Sequence, residues 1–296
     1  MTTTSTGRMM LANINASART LAQAQERSAS GKAVQRPSDG PAQVLSALDY
    51  RSQLRRNEQL GRNALDARSW LDTADSALMH TVERVTRART LVVGAVNASS
   101  DSQAREAYAA EIDAIREGLI QTANTQHLGR PIFSGTDDVT NSYDDSGAYQ
   151  GNSGEVQRTV APGVTIRVNR TGPEVFGSQD PAVNPDGDLF QVLADISTAL
   201  RAGDIEAASS GITKLTAATD RIETAQVEMG ARSKQVEEIG FRNMDVDIAL
   251  KSALSEVEDV DMAEALIEVH VQEMAYQAAL SVAAKVIQPT LLDFLR

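Results

Sequence analysis

Two long stretches, each without an internal proline and carrying apolar residues every seven positions, constrain this chain more than any other feature. In the first, from Pro41 to about Ala98, the series Ala64, Leu71, Leu78, Val85 and Val92 runs beside Ala67, Ala74, Thr81, Ala88 and Ala95. In the second, from about Asp204 to Val257, Leu215, Ile222, Met229 and Val236 continue through Asn243, Leu250 and Val257, beside Ala218, Ala225, Arg232, Ile239, Val246 and Ala253. A strict seven-residue repeat marks helices packed along a narrow seam, and alanines at the second seam position allow close approach. If unbroken, the first stretch is a helix of roughly 87 Å at 1.5 Å per residue. Two such helices of similar length, one from each half of the chain, are expected to pack antiparallel as an elongated coiled-coil or helix-bundle rod. Arg232 and Asn243 interrupt the second seam. Polar residues there either fix register at a cost in stability or mark where the partner helix stops.

The composition suits this reading. Hydrophobic residues make up 42% of the chain but aromatic ones only 4%, so burial must rest on Leu, Val, Ile, Met and Ala, which fill narrow helix seams better than a broad core. Both ends of the chain are also helical in pattern. Leu11, Ile14, Ala18 and Leu21 form one amphipathic stripe, and Met262, Leu266, Val269, Tyr276, Leu280, Ala283 and Ile287 another, followed after Pro289 by Leu291, Leu292, Phe294 and Leu295. Between the arms, residues 129–177 change character. Gly, Asp, Asn, Ser and Thr dominate, and the runs Pro131-Ile132-Phe133, Ala148-Tyr149-Gln150 and Val164 to Val168 read as strands, with Pro162-Gly163 as a hairpin turn. The expected fold is mainly α with a small β-rich insertion and paired N- and C-terminal helices. Residues 1–40 and 259–296 would form a terminal helical domain, 41–128 and 189–258 the rod, and 129–188 a β-rich outer domain with its linker.

Short terminal helices are marginal alone in water. Their preserved apolar stripes therefore order when copies stack, coupling folding to assembly, or else tuck back on the rod; amphipathicity alone supports either.

Several function classes are excluded or weakened. A formal net charge of −12 repels polyphosphates, so nucleic acid is not an expected partner; Arg51, Arg55, Arg56, Arg62 and Arg68 read as a solvated helix face. Without cysteine there is no disulfide, thiolate nucleophile or Cys-type zinc site. His80, His127 and His270 are scattered, with no HExxH pair, and are expected at seams or surfaces. Asp137, Asp138, Asp144 and Asp145 lack the calcium-loop pattern. No phosphate loop or nucleophile elbow occurs. No catalytic residue, cofactor or metal is expected. No run approaches the roughly 20 apolar residues that span a bilayer, so membrane insertion is not expected. The start lacks an apolar signal-peptide region. On these facts alone the chain reads as cytoplasmic, although export by a route that reads a disordered N-terminus would leave the same trace.

Three stretches together resemble the hook-associated protein 3 family of the flagellin superfamily: Ser28-Ala29-Ser30-Gly31-Lys32 through Arg36-Pro37-Ser38-Asp39-Gly40-Pro41; Gly129-Arg130-Pro131-Ile132-Phe133-Ser134-Gly135 with Tyr149-Gln150-Gly151 and Val175-Phe176-Gly177; and Val286-Ile287-Gln288-Pro289-Thr290-Leu291-Leu292-Asp293-Phe294-Leu295. Gly40 and Pro131 depart from the residues common in the family. The resemblance implies a flagellin-like structural protein and not an enzyme. It would be exported unfolded by the flagellar type III apparatus with a cytoplasmic chaperone, without a cleaved signal peptide. Outside the cell it would form a ring of copies at the hook–filament junction, between hook-associated protein 1 and the flagellin filament. The terminal stripes would then be assembly surfaces, and Leu71, Leu78, Val85, Val92, Leu215, Ile222, Met229 and Val236 the rod seam. A short flagellin is the alternative, distinguished by polymerising into long filaments; a cytoplasmic coiled-coil scaffold is a further one.

Overall fold

The computed structural model describes residues 3–34, 36, 40–97, 101–180, 184 and 187–287, with side chains from Gly7 to Lys285. The chain divides into two compact units: Met1–Arg56 with Val246–Arg296, and Asn57–Asp245. The breakers at residues 31–40 and 259–261 separate helices inside the first unit, and the unit boundaries fall within two long helices.

Those helices are α2 (Pro41–Asn97) and α6 (Ile205–Glu258). Gly40 accepts from the Val44 amide at 3.0 Å to open α2, with Pro41 at the first helical position, where its missing N–H costs nothing. The Asp204 carboxylate caps α6 through the Ala207 amide at 2.9 Å. In the second unit, Arg68 meets Glu237 at 3.1 Å and the Ser233 hydroxyl donates to Asp72 at 3.1 Å. Later residues of one helix meet earlier residues of the other, so they run antiparallel. Leu71, Leu78, Val85, Val92, Leu215, Ile222, Met229 and Val236 are all buried in one hydrophobic cluster. Complete burial contributes about 1.5–3 kcal/mol for each large aliphatic side chain.

Two further helices join this cluster. α3 (Ser102–Ala123) is capped by Asp101, which accepts from the Ala104 amide, and supplies Ile112 and Leu119. Arg87 of α2 pairs with Glu111 of α3 at 2.7 Å. α5 (Leu189–Ala202) starts on an Asp188 cap and ends at Gly203 in the left-handed region. It adds Leu193, Ile196 and Leu200, and its Arg201 is held by Glu106 and Asp113 of α3.

The insertion contains two antiparallel hairpins, β1 (Gln126–His127) with β2 (Arg130–Pro131), and β3 (Gln157–Ala161) with β4 (Val164–Arg167). The Pro162-Gly163 turn joins the second pair, with Gly163 at φ +72°. Strand structure is sparser than the sequence suggests. Ile132 and Phe133 lie beyond β2, and Tyr149 makes only an isolated bridge to Tyr143. A short helix α4 (Gly172–Phe176), with a Thr171–Glu174 capping box, occupies the Val175-Phe176 phrase. The few aromatics concentrate here. Tyr143 stacks edge-on against Phe176 and Phe190 at 5.6 and 4.9 Å, and Phe133 against Phe176 at 5.2 Å. Such contacts compensate for the shortage of regular hydrogen-bonded structure.

The two polar interruptions of the α6 seam mark where the β3–β4 hairpin docks. Asn243 donates to the Val160 carbonyl at 2.9 Å and Arg232 to the Arg167 carbonyl at 3.4 Å. From α2, Asn63 donates to the Thr159 carbonyl at 2.8 Å, and Asn57 donates to the Asn243 carbonyl at the same distance. The seam is polar where its neighbour is a strand backbone, which demands donors.

Candidate assembly surface

The first unit is built on α1 (Thr3–Ser30) and α7 (Met262–Ile287). Gly31 closes α1 in the left-handed conformation at φ +67°, its amide donating to the Arg27 carbonyl at 3.0 Å. A Cβ at Gly31 would meet nothing within 4 Å, so the requirement for glycine is conformational. The next residues pair with the chain between α6 and α7. The Ala33 amide donates to the Glu258 carbonyl at 2.7 Å, and the Val260 amide to the Gly31 carbonyl at 3.1 Å.

Charge locks this crossing. Lys32 reaches Asp259 at 2.6 Å and Glu258 at 3.3 Å, and Arg51 reaches Glu258 at 2.9 Å. The Glu258 carboxylate is buried, a placement that requires such partners. The hydrogen bond to Asp259 holds the Lys32 ammonium above the ordinary lysine value. The same bond from Lys32, and then one from the Ser255 hydroxyl, holds Asp259 below the usual carboxylate range. A groove of about 250 Å³ lies alongside, with Val34, Val44, Ala47 and Leu48 beside the charged group. The Ser-Gly-Lys phrase thus has a physical reading: a terminated helix, a left-handed glycine and a lysine that secures the crossing.

α1 and α7 run antiparallel, tied by Arg27 and Glu268 at 2.9 Å. Among the described residues, those of the pair that are buried are alanines, Ala24, Ala265 and Ala283. Ile14, Leu21, Val269 and Tyr276 are half-buried, while Leu11, Leu266 and Leu280 are exposed. Ile287 ends α7 with its side chain outside the described set, and Leu291, Leu292, Phe294 and Leu295 lie outside the described residues. Exposed apolar side chains also include Met9, Leu45, Leu48, Ile267, Val271, Met274 and Val282, with Ile267 at 65% and Met274 at 62%. Reading a single stripe missed these. The available signals were apolar residues on several sides of α7 and, at Leu45 and Leu48, apolar residues outside the heptad register of α2. A helix apolar around its circumference is normally covered on every side, yet α7 presents a broad uncovered surface.

His270 stands 3.6 Å from Glu273, and His80 stands 3.5 Å from Glu83 in the second unit. His127 is buried and tilted against Trp70 at a centroid distance of 5.4 Å, and Arg158, which lies over the Trp70 ring, pairs with Asp66 at 2.6 Å. Among the described residues no three His, Cys, Asp or Glu side chains gather as a metal site, and no helix is long and apolar enough to cross a membrane.

Comparison with known proteins places this arrangement. The family model of the bacterial flagellin N-terminal helical region matches residues 2–138, and that of the flagellin C-terminal helical region matches residues 211–295. Flagellar hook-associated protein 3 of Escherichia coli (strain K12) is 24% identical over 273 residues, covering 86% of each chain. A flagellin of Bacillus subtilis (strain 168) is 24% identical over 272 residues, covering 88% of this chain and 87% of its own. Among solved structures, the flagellar junction protein FlgL from Legionella pneumophila superposes with a TM-score of 0.57 at 18% identity, over 71% of this chain and 99% of that one.

Proposed function

This chain belongs to the hook-associated protein 3 family of the flagellin superfamily and is a structural adaptor of the flagellar hook–filament junction; from that premise we propose that it acts as a ring of copies joining hook-associated protein 1 to the first flagellin subunits. The observation that carries the proposal is the exposed apolar surface of α1 and α7, within the segments matched by the flagellin terminal regions. Stacked neighbours would cover it, and burial at about 25 cal/mol per Å² would drive the assembly. The protein works outside the cell, exported unfolded through the flagellar type III apparatus with a cytoplasmic chaperone. A chain free of cysteine suits that route, because threading and refolding outside require no disulfide chemistry. It acts through binding and not catalysis.

Electron microscopy of a deletion strain tests this. The expected result is complete hooks without filaments and flagellin shed into the medium; normal filaments in that strain would overturn the proposal. A second, less supported reading, a short filament subunit, rests on the match to a flagellin. Growth of long filaments from purified chain on flagellar seeds would establish it.

A further inference from the structure

The two arms of the first unit carry opposite charge. Residues 1–56 hold eight Lys or Arg against three Asp or Glu, whereas residues 246–296 hold nine Asp or Glu against three Lys or Arg. Within one copy this asymmetry is used at Arg27–Glu268 and at Lys32, Arg51, Glu258 and Asp259. Charge remains outside those pairs. Arg55 on α2 and Glu264 on α7 are exposed and make no ion pair among the described residues.

Both exposed charges end an apolar stripe. On α2, Leu45 and Leu48 are 69% and 53% exposed, and Arg55 follows seven residues after Leu48. On α7, Glu264 precedes Val271 by seven residues, and Met274 follows three later, both apolar residues exposed. The spacing is three then seven on one helix and seven then three on the other. Each stripe spans about 15 Å at 1.5 Å per residue. Laid antiparallel, Leu45 meets Met274, Leu48 meets Val271 and Arg55 meets Glu264. Laid parallel, Arg55 falls on Met274 and Leu45 on Glu264, leaving both charges against apolar side chains.

We infer that copies of this chain join through a heterologous contact in which the Leu45–Leu48–Arg55 stripe of one copy packs antiparallel on the Glu264–Val271–Met274 stripe of the next. The occupant is a second copy because one chain supplies both complementary faces with matching length, order and charge. A contact between two different faces propagates in one direction and closes as a ring or continues as a helix, whereas a contact of like with like stops at a dimer. The inference rests on the junction-ring reading and specifies which surfaces build the ring.

The cysteine-free sequence makes cross-linking a direct test. Cells co-expressing full-length Leu48→Cys and Val271→Cys chains are treated with a short bismaleimide, and detached hook–filament preparations are analysed. The expected result is a cross-linked dimer when both variants are present and at least tenfold less from either alone. Equal yields from a single variant would overturn the pairing, because like faces would then be meeting. Charge reversal gives a second readout: in the cysteine-bearing chains, Arg55→Glu or Glu264→Arg lowers the cross-linking yield severalfold at low salt, and the two together restore it. Failure of the double substitution to restore it would also count against the pairing. The junction reading has its own readout, the presence of the unsubstituted chain in the preparation. A chain present but not cross-linked overturns the pairing alone; a chain absent overturns both.

Discussion

Replacing Asn243 with leucine restores the seven-residue repeat of α6, and the structure predicts that it weakens the protein. Heptad logic alone expects a gain, since burying a leucine contributes about 1.5–3 kcal/mol. The geometry opposes this. Asn243 is already 7% exposed, so leucine gains only the difference between a buried amide and a buried alkyl group. Asn243 Nδ2 donates at 2.9 Å to the Val160 carbonyl, where β3 shifts register relative to β4 between Thr159 and Ala161. A bulge takes a residue out of the regular ladder, so this carbonyl depends on a donor from outside the hairpin. Depriving a buried carbonyl of its donor costs about 1–3 kcal/mol, and fitting a branched side chain against the strand costs about 1–3 kcal/mol more. The balance is a loss of about 2 kcal/mol, or about 4–8 °C in Tm for a cooperative unit of this size. Asn243→Ala, which removes the donor without crowding, falls by a similar amount. Circular-dichroism melts measure the loss, and hydrogen exchange should show weakened protection in β3 and β4. A Tm for Asn243→Leu equal to or above that of the parent would refute the reasoning, because a continuous apolar seam would then outweigh the docked strand.

Gly31→Ala should destabilise the first unit by about 1–2 kcal/mol, since its Cβ meets open space and the cost is the left-handed backbone alone; chemical denaturation followed by helix signal checks this. Leu128 holds φ +50° in the exposed β1–β2 turn, so Leu128→Asn, which tolerates that conformation, should stabilise the second unit by about 1 kcal/mol in the same assay. The Lys32–Asp259 pair sets a pH window. Asp259 lies below the usual carboxylate value, so its contribution is full above about pH 3.8 and lost as pH falls through the depressed value; Lys32 lies above 10.5, so its contribution is full below that and lost as pH rises through the raised value. Exchange of the Ala33 and Val260 amides should be slowed across the interval and rise at both ends, after correction for intrinsic rates.

What the amino-acid order determined by itself was periodic and local. Leu71, Leu78, Val85 and Val92, with Leu215, Ile222, Met229 and Val236, announce their burial because a helix repeats every 3.6 residues and returns the same face to its neighbour. Pro162-Gly163 announces a turn because its effect is confined to a few neighbouring residues. Tertiary structure decided what depends on neighbours distant in sequence. Arg232 and Asn243 read as faults in a seam until the carbonyls of Arg167 and Val160 stand beside them. Lys32 is only one residue of a Ser-Gly-Lys phrase until Glu258 and Asp259, more than 200 positions later, close on it. The exposed surface of α7 is likewise invisible to periodicity, because an apolar residue carries no mark of whether its covering partner lies in its own chain or in the next copy.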